Sequence, residues 1–297
     1  MVFILADLEW NGAYSKKAHG YFNEIIEIGA VKLDEHMRQL DTFHAVIRPV
    51  VSRKLSDIVS ELTNITVEEL EDGGTFPGAM SAMRRWIGKE EAALLTWSNT
   101  DLTVLTENCR YFLQNERPPF MRWYADAQAY CQTRLDTPKG QQIGLSRACE
   151  QLGISAENMA LHRALDDSLL TAEVLRQLYD AAPFRPFLQR ADDTFYERLH
   201  FKSYIINDLA DERVPRESLR FTCETCGKPL KPMEDWRFRN RAFCAPLYCR
   251  RCDKRYTARV QVKVKYEGPE IKRRLAEQLP AEETGESVLD SEQKIST

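Results

Sequence analysis

Asp7 and Glu9 flank Leu8 at the end of the apolar run Val2-Phe3-Ile4-Leu5-Ala6. In an extended strand alternate side chains leave on one face, so the two carboxylates project together. Side by side they repel, and burial raises the cost of keeping both charged. Hard divalent cations such as Mg2+ or Mn2+ relieve that cost, because they take carboxylate oxygens as ligands. The plain alternative is a strand end whose acids point into water, so the pair needs partners. Asp101 follows the apolar segment 92–97 and the turn residues Ser98-Asn99-Thr100, while His162, Asp166 and Asp167 crowd into His-Arg-Ala-Leu-Asp-Asp-Ser. On a regular helix positions i and i+4 share a face, whereas i+5 falls about 140° away. A helical His162 therefore pairs with Asp166 rather than Asp167.

In order along the chain, Asp7-x-Glu9, Trp97-x-x-x-Asp101 and His162-x-Ala164-x-x-Asp167 resemble the DEDDh family of 3′–5′ exonucleases, which includes RNase T and the proofreading subunit of bacterial replicative polymerase. Asp7-Leu8-Glu9-Trp10 and the segment Asn23-Glu24-Ile25-Ile26-Glu27-Ile28-Gly29-Ala30-Val31 are most similar to its Eri1-type, RNA-trimming branch. The resemblance covers residues 1–182. It implies an α/β fold, a ribonuclease-H-like mixed sheet flanked by helices, and two Mg2+ or Mn2+ ions held by Asp7, Glu9, Asp101 and Asp167, with Asp7 bridging both. It also selects Asp167 over Asp166, casts His162 as general base, and gives 5′-nucleoside monophosphates as products. Trp10 stands where the family often wedges an apolar residue against the terminal base, ordinary packing being the alternative. Asn11 is a weaker substrate contact. Thr63-Asn64-Ile65-Thr66 resembles the family's nucleotide-contacting loop, in which glycine is common at the place of Asn64.

Five of the eight cysteines crowd into thirty positions, which favours metal ligation over disulfides. Cys223-x-x-Cys226 and Cys249-x-x-Cys252, with 22 residues between the pairs, suit a structural Zn2+ in a ribbon of residues 216–266. Gly227 allows the tight turn that such a pair needs, and Cys244 is left over. That segment carries 14 Lys or Arg against 5 Asp or Glu, whereas residues 1–215 carry 23 against 32. An acidic catalytic unit with a basic polyanion grip fits this asymmetry. Arg250, Arg251 and Arg255, interleaved with aromatics, are candidate contacts to single-stranded nucleic acid, RNA slightly favoured by the resemblance. A ribbon that docks on a nucleic-acid-processing complex is the other partner reading.

The elements that must position these groups are legible in outline. Residues 2–9, 25–33 and 43–47 read as strands, 92–97 and 123–129 as two more. Helices are expected over 67–71 behind an N-cap at Thr66, and over 77–88, 101–113, 146–152 and 167–181. Residues 183–215 read as a helical connector and 257–266 as a ribbon strand. From 267 to 297 the chain is charged and reads as a short helix followed by disorder. A hydrophobic fraction of 43% and a charged fraction of 29% describe an ordinary globular protein. No run approaches the roughly 20 apolar residues that span a bilayer, nor the pattern of a secretory signal. The expectation is a cytoplasmic enzyme without membrane contact. A binding protein that keeps the exonuclease fold without activity is the alternative, against which the five expected site residues stand.

Overall fold

The structure, a computed structural model, describes residues 1–52, 54–138, 140–155 and 163–278. The chain divides into two compact units, one from Met1 to His200 and one from Phe201 onward. No helix among the described residues is long and apolar enough to cross a membrane.

The first unit opens with three antiparallel strands, β1 (Val2–Ser15), β2 (Gly20–Leu33) and β3 (Gln39–Val46). Short helices α1 (Asp57–Thr63) and α2 (Val67–Glu71) lead to α3 (Phe76–Ile87), β4 (Ala92–Thr96) and α4 (Asn99–Leu113). Then come β5 (Trp123–Asp126), α5 (Ala127–Cys131), α6 (Leu145–Leu152), α7 (Ala164–Leu178), α8 (Ala181–Phe184), β6 (Gln189–Arg190) and α9 (Asp193–His200). The sheet order is β3-β2-β1-β4-β5-β6, with β1, β4 and β5 parallel and the others antiparallel to their neighbours. Alternation along β1 sends Val2, Ile4, Ala6 and Leu8 into one core layer and Phe3 and Leu5 into the other. Helices cover both faces, so β4 is buried along its whole length.

Several boundaries differ from the sequence reading for identifiable reasons. Both arms of the first hairpin are longer than expected, because Trp10–Ser15 pair with Gly20–Ile25 despite their polar and small residues. β5 stops at Asp126, whose carboxylate accepts the Ala129 N–H at 2.8 Å and starts α5 in place of the last strand residues. Thr66 does cap α2, in a reciprocal box with Glu69.

A close approach fixes α7. A Cβ built on Gly29 would lie 2.1 Å from the backbone carbon of Ala164 and the nitrogen of Leu165, so only glycine lets α7 start against β2. Ser168 Oγ donates to the Gly29 carbonyl at 3.0 Å and holds that contact.

The second unit is a six-stranded antiparallel sheet. It consists of β7 (Tyr204–Ile205), β8 (Lys231–Pro232), β9 (Arg237–Arg239), β10 (Ala242–Cys249), β11 (Lys254–Lys265) and β12 (Gly268–Gln278). Two expectations are corrected. The connector of 183–215 is divided, with α8, β6 and α9 in the first unit and β7 paired to β11 in the second. The short helix expected beyond 267 is a strand instead: β12 pairs with β11 from Lys265↔Gly268 to Arg255↔Gln278, and Ile271 and Leu275 pack on the core of this unit. The expected disorder of 279–297 lies outside the described residues.

Gly29→Ala forces the α7 start away from β2. Overpacking of this kind is expected to lower the melting temperature by roughly 5 to 10 °C. An unchanged transition in thermal denaturation would contradict the close approach.

Candidate active site

Asp7 and Glu9 leave the same face of β1, on the side over which α7 begins. Directly across on β2 stand Gly29, opposite Asp7, and Glu27, opposite Glu9. Beyond that pair the register slips, leaving Ile26 as an extra residue on β2; it packs with Ile65 and Leu70 beneath the turn that joins α1 to α2. Asp167 lies in the first turn of α7 and brings a carboxylate oxygen within 4.8 Å of oxygens of both Asp7 and Glu9. Asp166, its neighbour, is not in that group. Asp101, only 7% exposed, lies in the first turn of α4, just past the carboxyl end of β4 and beside β1, the strand at which the sheet changes from parallel to antiparallel pairing. Crevices at such switch points are where open α/β sheets bind ligands.

Asp7, Glu9 and Asp101 each feel the charge of Asp167. Burial, followed by the charges of Asp101, Asp167, Glu9 and Glu27, pushes Asp7 well above the ordinary carboxylate range. Burial and then the charges of Asp167, Glu27 and Asp101 raise Glu9 to about 8. Asp101 rises to about 7, chiefly through burial, with the Leu8 backbone N–H opposing and Asp167 adding to the rise. A donor set of carboxylate oxygens alone, close together and unwilling to ionise, is what a hard divalent cation satisfies.

A fifth acid has a different fate. Glu27 is fully buried, and burial alone would raise it, but hydrogen bonds from His44, Arg163 and the Ala164 backbone outweigh that and hold it at about 2. His44 Nε2 lies 2.7 Å from Oε1, Arg163 Nη2 2.6 Å from the same oxygen, and Ala164 N–H donates to Oε2 at 3.0 Å. Arg163 also reaches Glu69, the capping residue of α2, at 3.4 Å. Glu27 and Arg163 therefore pin the start of α7, and with it Asp167, to the sheet and to α2. Neither was singled out as a site residue from sequence. The available signal was one acid inside Ile25-Ile26-Glu27-Ile28, a run too apolar to hold an unpaired charge.

Other expected contacts separate. Trp10 is half-buried against the core layer of β1 and α4. Asn11 is fully buried and consumed by the loop before α1: its Nδ2 donates to Ser52 Oγ at 2.5 Å and the Lys54 carbonyl at 2.9 Å, and its Oδ1 accepts from Ser56 N–H. Its expected contact with substrate is corrected accordingly. Thr63 is corrected likewise, because its buried hydroxyl donates to Val59 and accepts from Ile65. Asn64 ends α1 in the left-handed region at φ 56°, which explains why glycine suits that place. His162 lies outside the described residues; Arg163, next to it, leads into α7 in extended backbone.

In the second unit the sulfurs of Cys223, Cys226, Cys249 and Cys252 all lie within 4.8 Å of one another, and Cys226 to Cys249 is 3.6 Å. A tetrahedral Zn2+ with Zn–S bonds of about 2.3 Å places its sulfurs about 3.8 Å apart, so the donor set fits. Gly227 takes φ 68° in the first turn. Cys244 is not in the group and lies on the opposite face of β10 from Cys249. Arg250, Arg251 and Arg255 are all exposed.

Asp7, Glu9 and Asp101 hold protons more tightly folded than unfolded, so the metal-free protein loses stability as pH rises from about 4 through about 8. Glu27 acts oppositely, contributing stability above its unfolded value of 4.5 that is lost toward about 2. Bound cations displace the site's protons, so the rise in melting temperature caused by Mn2+ is expected to be larger at about pH 8 than at about pH 6. Equal increments at both pH values would count against a metal site here.

The family model described as exonuclease, that of RNase T, matches residues 4–175. The probable 3′-5′ exonuclease KapD of Bacillus subtilis is 28% identical over 178 residues, covering 58% of this chain and 82% of that protein. Human 3′-5′ exoribonuclease 1 is 27% identical over 173 residues, which is 56% of this chain but 49% of the human one. The nuclease domain of 3′hExo, a DEDDh family member solved bound to rAMP, superposes with TM-score 0.53 at 24% identity, over 64% of this chain and 96% of that domain. Cell-death related nuclease 4 gives 0.52 at 18% identity, over 70% and 69%. The aligned part ends before the cysteine cluster in the family match, so the second unit has no counterpart there. With the matched model spanning more than half of the chain and the acids converging as described, the chain belongs to the exonuclease family, and its first unit is a 3′–5′ exonuclease domain of DEDDh-type fold.

Proposed function

We propose that the protein removes nucleotides one at a time from the 3′ end of RNA or single-stranded DNA, RNA being favoured because relatives that share this domain are exoribonucleases. The observation that carries this reading is the meeting of Asp7, Glu9 and Asp167 within 4.8 Å, with Asp101 buried beside them. These four acids would hold two divalent cations, which when bound would lower the pKa of a water and offset charge on the transferring phosphoryl group and departing 3′ oxygen. Asp7, between Glu9 and Asp167 and under the charge of Asp101, would be the ligand shared by the cations. His162, one residue before the anchored Arg163, takes the water's proton as general base. Glu27 and Arg163 hold Asp167 in register with β1. One structural Zn2+ on the four cysteines folds the second unit, which grips the substrate strand through its excess of arginine and lysine. The clustering of four cysteines as a metal donor set, rather than as disulfides, fits a cytoplasmic location.

Asp7→Ala is expected to lower kcat on 3′-labelled single-stranded RNA by roughly 10⁴-fold while leaving the fold intact and the metal-free melting temperature no lower. Undiminished Mg2+- or Mn2+-dependent release of 5′-monophosphates would refute the site. Elemental analysis is expected to find about one zinc per chain, and its chelation to unfold the second unit. A zinc-free chain with an intact second unit would contradict the structural role.

A further inference from the structure

The register of the second sheet places four residues in one line across it: Arg237 on β9, Cys244 on β10, Arg259 on β11 and Arg274 on β12. Directly paired residues face the same way, and the other face is the packed core of Phe243, Ala245, Tyr256, Ala258 and Val260. The arginine line therefore lies on the open face. Farther along, Arg239 stands opposite Ala242, and Gln261 opposite Lys272. In the other direction Tyr248 stands opposite Arg255. Beside the line, a groove of about 260 Å³ is bordered by Arg237, Arg239, Cys244, Pro246 and Thr257.

Arg259 directly opposite Arg274 is a like-charge cross-strand pair, which costs the sheet stability. Nothing in the packing calls for it, because both side chains are on the face away from the core. Arg259 is steadied by donating to the Asn240 carbonyl in the β9–β10 turn, and Gln261 donates to the Arg241 carbonyl at 2.9 Å. The acids on this face lie at its margins: Glu234 pairs with Arg237 at 3.6 Å, Asp235 borders the groove, Glu270 pairs with Lys265 at 2.9 Å, and Asp253 accepts from the Tyr248 hydroxyl at 2.6 Å. The centre is left cationic.

We propose that this open face, rather than the exposed turn bearing Arg250 and Arg251, is where the second unit takes the phosphodiester backbone of single-stranded nucleic acid. Arg259, Arg274 and Lys272 bind phosphates, and the Tyr248 ring beside Arg255 offers a base a stacking surface at the end of the sheet nearest the cysteines. Anionic phosphates relieve the repulsion that the empty face bears. The inference rests on the reading of the second unit as a substrate grip, and it names the surface.

The test is Arg274→Glu in the whole 297-residue chain, with fluorescence anisotropy on single-stranded RNA without divalent cations. Facing Arg259, the new carboxylate replaces repulsion by attraction, so the melting temperature is expected to hold or rise. Affinity is expected to fall roughly tenfold and the slope of log K against log salt to drop by about 1, for every sequence alike. The paired variant Arg250→Glu/Arg251→Glu is expected to lose less. Unchanged affinity and salt slope in a folded Arg274→Glu protein would overturn the proposal, as would a larger loss in the turn variant. Hydrolysis of a dinucleotide with Mn2+ reads the carboxylate site separately and is expected to be unchanged by Arg274→Glu. A wild-type protein that binds RNA through this face but leaves the dinucleotide intact refutes the catalytic reading alone.

Discussion

Carboxylates that repel one another in a partly buried crevice are the constraint around which the first unit is arranged. Each of Asp7, Glu9 and Asp101 is held where water solvates it poorly and where its neighbours make ionisation costlier. Such a cluster persists only if the surrounding elements are fixed independently of it. β1 lies between a parallel and an antiparallel neighbour, which puts Asp7 and Glu9 beside the end of β4 where Asp101 begins its helix. Gly29 lets α7 touch β2, and the Glu27–Arg163 pair clamps its first turn. The same clamp removes Glu27 from the acid cluster: with its charge met by a guanidinium, a histidine and a backbone N–H, it ionises readily where its neighbours do not.

The second unit solves a different problem. Its core is small, one face of a single sheet, and four sulfurs at its end take the place that additional apolar layers would fill. β12 closes the edge of β11 that would otherwise be left open, and in doing so sets Arg274 opposite Arg259. Stability and charge pull against each other on that face, as they do at the carboxylate site, with opposite sign.

Much of this was legible in the chain itself, and the failures have physical causes. The two-residue spacing of Asp7 and Glu9 gave a shared face, and the family resemblance supplied Asp101 and Asp167. The choice of Asp167 over Asp166 turns on where α7 begins: with Ala164 as its first residue, Asp167 is the one that turns toward β1. Paired Cys-x-x-Cys spacing likewise gave the sulfur cluster. Asn11 and Thr63 misled because residue type alone does not tell whether a polar group faces a ligand or a neighbouring loop. α1 escaped notice since Ile58 and Leu62 are exposed and only Thr63 is buried, leaving no apolar stripe to detect. In β12 the inward Ile271 and Leu275 are separated by Lys272-Arg273-Arg274, which masks the alternation behind charge. Glu27 was hidden for the converse reason, its partner lying 136 residues away.

Calorimetric titration with Mn2+ near pH 6.5, repeated in buffers of different ionisation enthalpy, measures at once how many ions bind and how many protons they displace. If the converging acids form the site described, about two ions bind to the first unit and their binding releases protons that the raised carboxyls still hold at that pH. Absence of binding, or binding with no proton release, would contradict the account.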